Sequence, residues 1–286
     1  MSEVRLATRR SALALAQAGR VADLVRTVDS GLSVSLVEID TTGDRDRVGA
    51  VARLTELGAF VRAVQEAVLD GRADLAVHSL KDLPVVGPED LVPAVFPERA
   101  APFDVLIGSS LDDLGPGAVI GSGSPRRTAQ LLELRPDLRT TELRGNVDTR
   151  IRKVSEGEVD GAVLAEAGLE RLGRTDVIAQ RLTISEMVPA PGQGALAVEA
   201  RVGTRGAEIA AGLDDGRLRP LLTAERDLLA ETGAGCRSAL GALATWDSEW
   251  IRLDVFVADG RGPRRAVVHR PTPEDVVSEA RKELGL

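Results

Sequence analysis

The sequence predicts an α/β protein made of two similar α/β lobes followed by a small α+β domain. Three observations carry this expectation. Short apolar strands alternate with helical patterns over the first two thirds of the chain; the series restarts after the proline-rich stretch 84–102; and from Leu240 onward it changes to three strands and a helix. A single larger doubly wound sheet is the other arrangement such a series allows.

Val4–Ala7 reads as a strand, and a helical pattern runs from Ser11 to about Val28. Ser33–Ile39 alternates apolar and polar residues, as a half-buried strand does. Phe60, Val61, Val64, Ala67 and Val68 make one face of a helix over Gly58–Leu69, and Asp74–Val77 is the next strand. This β-α-β-α-β order predicts a mostly parallel sheet. The second series has strands at Asp104–Ile107, Ala118–Gly121, Thr140–Leu143 and Gly161–Ala165, with helices at Ser124–Leu134, Val147–Ser155 and Gly168–Leu172. The breaker-rich Pro189-Ala-Pro-Gly-Gln-Gly194 leads into a strand at Ala195–Glu199, then helices near Gly206–Gly212 and Pro220–Glu231. The tail carries strands at Leu240–Ala244, Ile251–Val257 and Ala266–His269 and a helix at Pro273–Leu284. Two lobes joined by two crossings imply a ligand cleft at the carboxyl ends of the strands.

Composition narrows the function. A net charge of −8 over 286 residues disfavours nucleic-acid binding, and with 2% aromatics and no Tyr there is little to stack bases on. No apolar run approaches a membrane span, and the N-terminus lacks a secretory pattern. One cysteine and two histidines exclude a disulfide framework and a typical structural zinc site, so no metal is expected and the cytoplasm is. Arginine supplies 33 of the 36 basic residues, so only clustered arginines are informative.

They cluster at strand-to-helix turns. Arg9 and Arg10 precede Ser11, a candidate N-cap; Gly121-Ser-Gly-Ser-Pro-Arg-Arg127 places Ser124 as N-cap and Pro125 at the first helical position; Arg144-Gly-Asn146 repeats the pattern, with Arg150 one turn on. Free amides at helix starts, glycines that allow close approach and planar guanidinium forks together suit a polycarboxylate. His78-Ser-Leu-Lys-Asp-Leu-Pro84 ends a strand in a sharp loop, where Asp82 can serve as acid, base or cation stabiliser beside Lys81, one of three lysines. His78 reads as a structural residue. Cys236 lies between glycines and Arg237, an open setting that favours a thiolate, although a lone cysteine is more often a small buried hydrophobe.

These motifs, with Arg5-Leu-Ala-Thr-Arg9-Arg-Ser11, Arg144-Gly-Asn-Val-Asp-Thr-Arg150, Ala167-Gly-Leu-Glu-Arg-Leu-Gly173, Pro189-Ala-Pro-Gly-Gln-Gly-Ala195 and Thr223-Ala-Glu-Arg226, resemble the porphobilinogen deaminase (hydroxymethylbilane synthase) family in order and spacing. The resemblance implies two lobes like those of periplasmic binding proteins, residues 1–95 with 195–213 and residues 99–190, and a third domain, residues 216–286. It implies a transferase of haem and tetrapyrrole biosynthesis with a dipyrromethane cofactor joined to Cys236 through a thioether. Four porphobilinogens would be condensed head to tail with loss of ammonia, and hydroxymethylbilane released by hydrolysis. Asp82 would be catalytic, stabilising the cation left when the aminomethyl nitrogen departs. Lys81, Ser79, Ser124, Arg126, Arg127, Arg144, Asp104 and Gly145 would hold the cofactor; Arg9, Ser11, Arg127, Arg150, Arg171 and Gln193 would hold substrate. A monomer without nucleic-acid or membrane partners is expected. Two departures from the family pattern are Leu57, where many members have lysine, and Arg99-Ala-Ala-Pro-Phe-Asp104, which lacks two acids and an arginine. The latter admits a catalytically weakened paralogue, and the scaffold admits a non-catalytic carboxylate-binding protein.

Overall fold

The computed structural model describes residues 3–40, 52–232 and 239–286. The elements, in order, are β1 (Glu3–Arg9), α1 (Ala12–Val28), β2 (Ser33–Ile39), α2 (Ala52–Leu69), β3 (Leu75–Ser79) and β4 (Asp104–Ile107). Next come β5 (Val119–Gly121), α3 (Pro125–Leu134), β6 (Arg139–Thr141), α4 (Val147–Ser155), β7 (Gly161–Ala165), α5 (Glu166–Arg171) and β8 (Ile178–Arg181). The remainder is β9 (Leu196–Ala200), α6 (Arg205–Ala211), α7 (Leu218–Glu231), β10 (Ala239–Asp247), β11 (Trp250–Asp259), β12 (Gly262–Arg270) and α8 (Pro273–Leu284). Among the described residues, no helix is long and apolar enough to cross a membrane.

The chain divides into two compact units, Met1–Arg99 with Ala195–Arg219 and Ala100–Gly194 with Pro220–Leu286. In the first, the sheet order is β2-β1-β3-β9. β1 runs parallel to β2 and β3, whereas β9 is antiparallel to β3, from Leu75↔Ala200 to Ser79↔Leu196. Strand alternation sorts the core into two layers. Val4, Leu6, Leu75 and Val77 face Ala18, Val21 and Val25 of α1. Ala7 and Ala76, each next in sequence to a residue of that layer, face Val64, Ala67 and Val68 of α2. Both faces are therefore covered, and the central strands carry almost continuous apolar runs.

The second unit holds a five-stranded sheet, order β6-β5-β7-β4-β8. This sheet is mixed: β5 is parallel to β6 and β7, but β4 is antiparallel to both β7 and β8. β8 has no sequence signal because only alternate residues are half-buried and it lies at the sheet edge. Leu106, Ile120, Val163 and Leu131 pack on one face; Val105, Ile107, Ala162 and Leu164 pack on the other with Leu169. Residues 216–286, expected as a domain of their own, contribute an antiparallel sheet, β10-β11-β12, which packs against α8 and α3.

The breaker-rich crossing has a specific requirement at Gly194. Its φ is +86°, and a Cβ would lie 2.5 Å from the Ala100 carbonyl oxygen. Gly71, at φ +72°, has open space around it. We expect Gly71→Ala to cost about 1–2 kcal/mol, the left-handed penalty alone, and Gly194→Ala to cost more. Urea midpoints at unchanged slope provide the measurement; equal shifts would show that the close approach to Ala100 has no weight.

Candidate active site

In the first unit, β1 delivers Arg9 to the start of α1, where Ser11 is the N-cap and its Oγ accepts the Ala14 N–H at 3.3 Å. Arg10 is turned to Glu38 and Asp40. The Arg9 guanidinium instead lies 4.1 Å from the centroid of the Phe60 ring, and its buried Nε has no hydrogen-bond partner among the described residues. β3 ends at Ser79, and residues Leu80–Asp82 make one 3₁₀ turn. Buried Leu80 anchors that turn, donating its N–H to the Ala195 carbonyl at 3.0 Å and accepting the Leu83 N–H at 3.1 Å. Lys81 and Asp82 are thereby left half-buried on a pocket of about 100 Å³, shared with Arg9, Ser11, Ser79 and Phe60. His78 borders the same pocket, and its Nε2 lies 3.2 Å from Oε2 of buried Glu199, which also accepts from Gln65 at 2.9 Å.

The second unit gathers Asp104, Arg126, Arg127 and Gln193, all buried. Ser124 caps α3 with Pro125 in the first turn, its Oγ accepting the Arg127 N–H at 3.4 Å. Arg126 Nη1 donates to Asp104 Oδ2 and to the Val188 carbonyl, each at 2.7 Å. Arg127 donates through Nε to Asp104 Oδ1 at 2.9 Å and through Nη1 to the Val163 carbonyl at 3.0 Å. Gln193 Nε2 donates to Asp104 Oδ1 at 3.0 Å and to the Pro102 carbonyl at 2.7 Å. Burial alone would raise the Asp104 pKa, but the two guanidinium charges and these hydrogen bonds hold it well below the usual carboxylate range. Burial in turn lowers the Arg126 pKa, opposed by Asp104. Asp104 thus meets both arginines inside the protein.

Further along, Asn146 caps α4, accepting the Thr149 N–H at 2.9 Å, and Arg144 is exposed, paired with Glu142 at 3.2 Å. Gly145 has φ +113°, and a Cβ there would meet Thr149 at 2.6 Å. Arg150 donates from Nε to the Gly145 carbonyl at 2.9 Å. Its pKa is lowered to about 10 by burial and by the neighbouring Arg127 charge. Among the described residues no carboxylate pairs with Arg150. Arg171 donates from Nη2 to the Gly194 carbonyl at 2.7 Å.

Of the residues the sequence singles out, the structure brings Arg9, Ser11, Ser79, Lys81 and Asp82 together in one unit. In the other it joins Asp104, Arg126, Arg127 and Gln193 in one network, with Arg150 close enough to Arg127 to feel its charge. Cys236 lies outside the described residues, as does the Leu57 side chain. Of the departures, Phe103 stacks under the Arg181 guanidinium at 5.2 Å, and Arg181 pairs with Glu166. Sequence reasoning missed the roles of Phe60, Gln130 and Glu225. Gln130 exchanges two hydrogen bonds with the Val188 backbone, Nε2 donating to the carbonyl at 3.0 Å and Oε1 accepting the N–H at 2.8 Å. Only Glu225 had a signal, its place in the Thr223–Arg226 motif.

Residues 4–208 match the family model described as "Porphobilinogen deaminase, dipyromethane cofactor binding domain". The porphobilinogen deaminase of Acidothermus cellulolyticus is 43% identical over 293 residues, covering 99% of this chain and 87% of that protein. Porphobilinogen deaminase 1 of Streptomyces coelicolor is 49% identical over 249 residues, covering 84% of this chain and 77% of its own. Among solved structures, the substrate binding domain of a putative molybdenum ABC transporter from Clostridium difficile overlaps 76% of this chain and 93% of its own at 13% identity and a TM-score of 0.42. On the strength of the sequence matches, the chain belongs to the porphobilinogen deaminase family, enzymes of tetrapyrrole synthesis.

Proposed function

We propose that this protein is an active porphobilinogen deaminase, a transferase that condenses four porphobilinogens head to tail, releases an ammonia at each condensation and frees hydroxymethylbilane by hydrolysis. The observation that supports it best is the pair of half-buried guanidiniums, Arg9 and Arg150, that no carboxylate meets among the described residues. An uncompensated charge withdrawn from water is costly, so such groups fit a ligand that brings its own anions. Porphobilinogen carries an acetate and a propionate on each ring.

The residues fit a dipyrromethane as well. The orphaned Arg9 Nε and the pocket bearing Ser79 and Lys81 offer donors for the carboxylates of a pyrrole pair, and Asp82 an acceptor for its ring N–H groups. When bound through a thioether to Cys236, that group supplies the nucleophilic pyrrole carbon on which the chain grows. Lys81, Ser79 and Ser124 would hold it, and Arg126, Arg127, Arg144, Asp104 and Gly145 would shape its anion site. Arg9, Ser11, Arg127, Arg150, Arg171 and Gln193 bind the incoming substrate's side chains. Asp82, on the same pocket, would stabilise the positive charge that develops as ammonia leaves the substrate, and again before the ring proton is lost. The same reading makes the protein a cytoplasmic monomer of three domains, residues 1–95 with 195–213, 99–190 and 216–286, without nucleic-acid or membrane partners.

Intact-protein mass tests it. Freshly purified protein is expected to carry a covalent dipyrromethane adduct that is lost in Cys236→Ala; an adduct that survives the substitution, or none in the wild type, overturns the assignment.

A further inference from the structure

Glu225 sits in the middle of α7 with no exposed surface. Its Oε2 accepts the Gly192 N–H at 2.7 Å and its Oε1 accepts the Ala244 N–H at 2.8 Å. One carboxylate therefore ties a helix to two segments distant in sequence: the crossing that precedes β9 and the strand β10. The crossing needs such a tie. Residues 188–194 form no helix or strand, Gly192 has φ +73°, and the local turn is closed by the Gln193 N–H donating to the Ala190 carbonyl at 2.9 Å. β10 supplies a further bond, the Ala242 N–H donating to the Pro189 carbonyl at 2.9 Å, and Gly241 is without a Cβ where one would lie 2.7 Å from the Val188 carbonyl oxygen.

What the crossing presents is Gln193, the residue next to the one Glu225 holds. Gln193 reaches Asp104, and Asp104 orients Arg126 and Arg127. A buried carboxylate is expensive to desolvate, and an apolar residue of similar volume would pack a helix at less cost. A carboxylate, however, has two directional acceptors that can fix backbone amides to within a few tenths of an ångström. We propose that Glu225 is a positioning residue for the carboxylate-binding site: it sets the crossing so that Gln193 and Asp104 hold Arg127 in its ligand-binding orientation. This rests on Arg127 being a carboxylate contact, as proposed above.

The test uses the full-length holoenzyme. Glu225→Gln keeps the shape but leaves only one acceptor, so at least one of the Gly192 and Ala244 amides should lose protection tenfold or more in hydrogen exchange. The Arg127 Nε–H resonance should shift, and KM for porphobilinogen should rise several-fold with kcat changed much less. In a Gln193→Ala background the KM effect of Glu225→Gln should disappear. A brace acting on stability alone would lower the unfolding midpoint without moving KM or the Arg127 resonance, and that result overturns the proposal. Should Glu225→Gln fail to fold, Glu225→Asp, which retains both acceptors on a shorter stem, is read by the same measurements. Loss of the mass adduct and of turnover in the wild type would count against the function itself; an active wild type with unaltered KM in the variant counts against Glu225 only.

Discussion

Asp82→Ala leaves the chain folded and its cofactor attached, and lowers kcat by about 10²–10³-fold, the size expected when one group that stabilises a developing charge is removed. Folding survives because the turn does not depend on the Asp82 side chain. It is held by Leu80, by the Leu83-to-Leu80 backbone bond and by the contact with Ala195. Attachment survives because Arg9, Ser79 and Lys81 line the same pocket independently. Steady-state turnover of porphobilinogen with intact mass on the same sample makes the measurement. Activity within tenfold of wild type would remove Asp82 from the chemistry. An adduct lost together with activity would move it from catalysis to assembly.

Asp104→Asn carries the largest expected cost in stability. Asp104 has no exposed surface and answers two buried guanidiniums. Removing its charge strands both, and breaking a buried pair in this way costs about 3–5 kcal/mol. Urea unfolding reads the loss, and a change under 1 kcal/mol would mean that the arginines find other partners. The sign of the pH dependence follows from the lowered pKa of Asp104. Its contribution is fully present above the ordinary carboxylate value of about 4 and is lost as pH falls through the lower folded value. Wild type should therefore lose stability on acidification more steeply than Asp104→Asn in that range.

Local chemistry was legible in the sequence. The caps at Ser11, Ser124 and Asn146 stand where cap residues and helix starts predict them, because a cap is decided within four residues. What Arg126 and Arg127 touch was not legible. Pro125 places them in the first turn of α3, but their direction is decided by Asp104 on β4 and the Val188 carbonyl, which only the tertiary fold brings near. For the same reason Glu225 could be noticed as part of a motif but not understood, since both of its described backbone partners lie in other segments. The antiparallel setting of β4 was hidden because a strand buried on both faces has the same apolar run in either direction.

The place of β9 bears on how the protein is made. β1, α1, β2, α2 and β3 leave the ribosome well before β9, the second partner of β3, which follows only after residues 100–194 have been synthesised. Until then β3 has one open edge, and Val4, Leu6 and Leu75 lack the covering of Leu196 and Val198. The first unit is thus begun early and completed late. Until β9 is made, its nascent form carries a strand with one open edge and uncovered apolar surface, and long-range pairings of this kind form slowly.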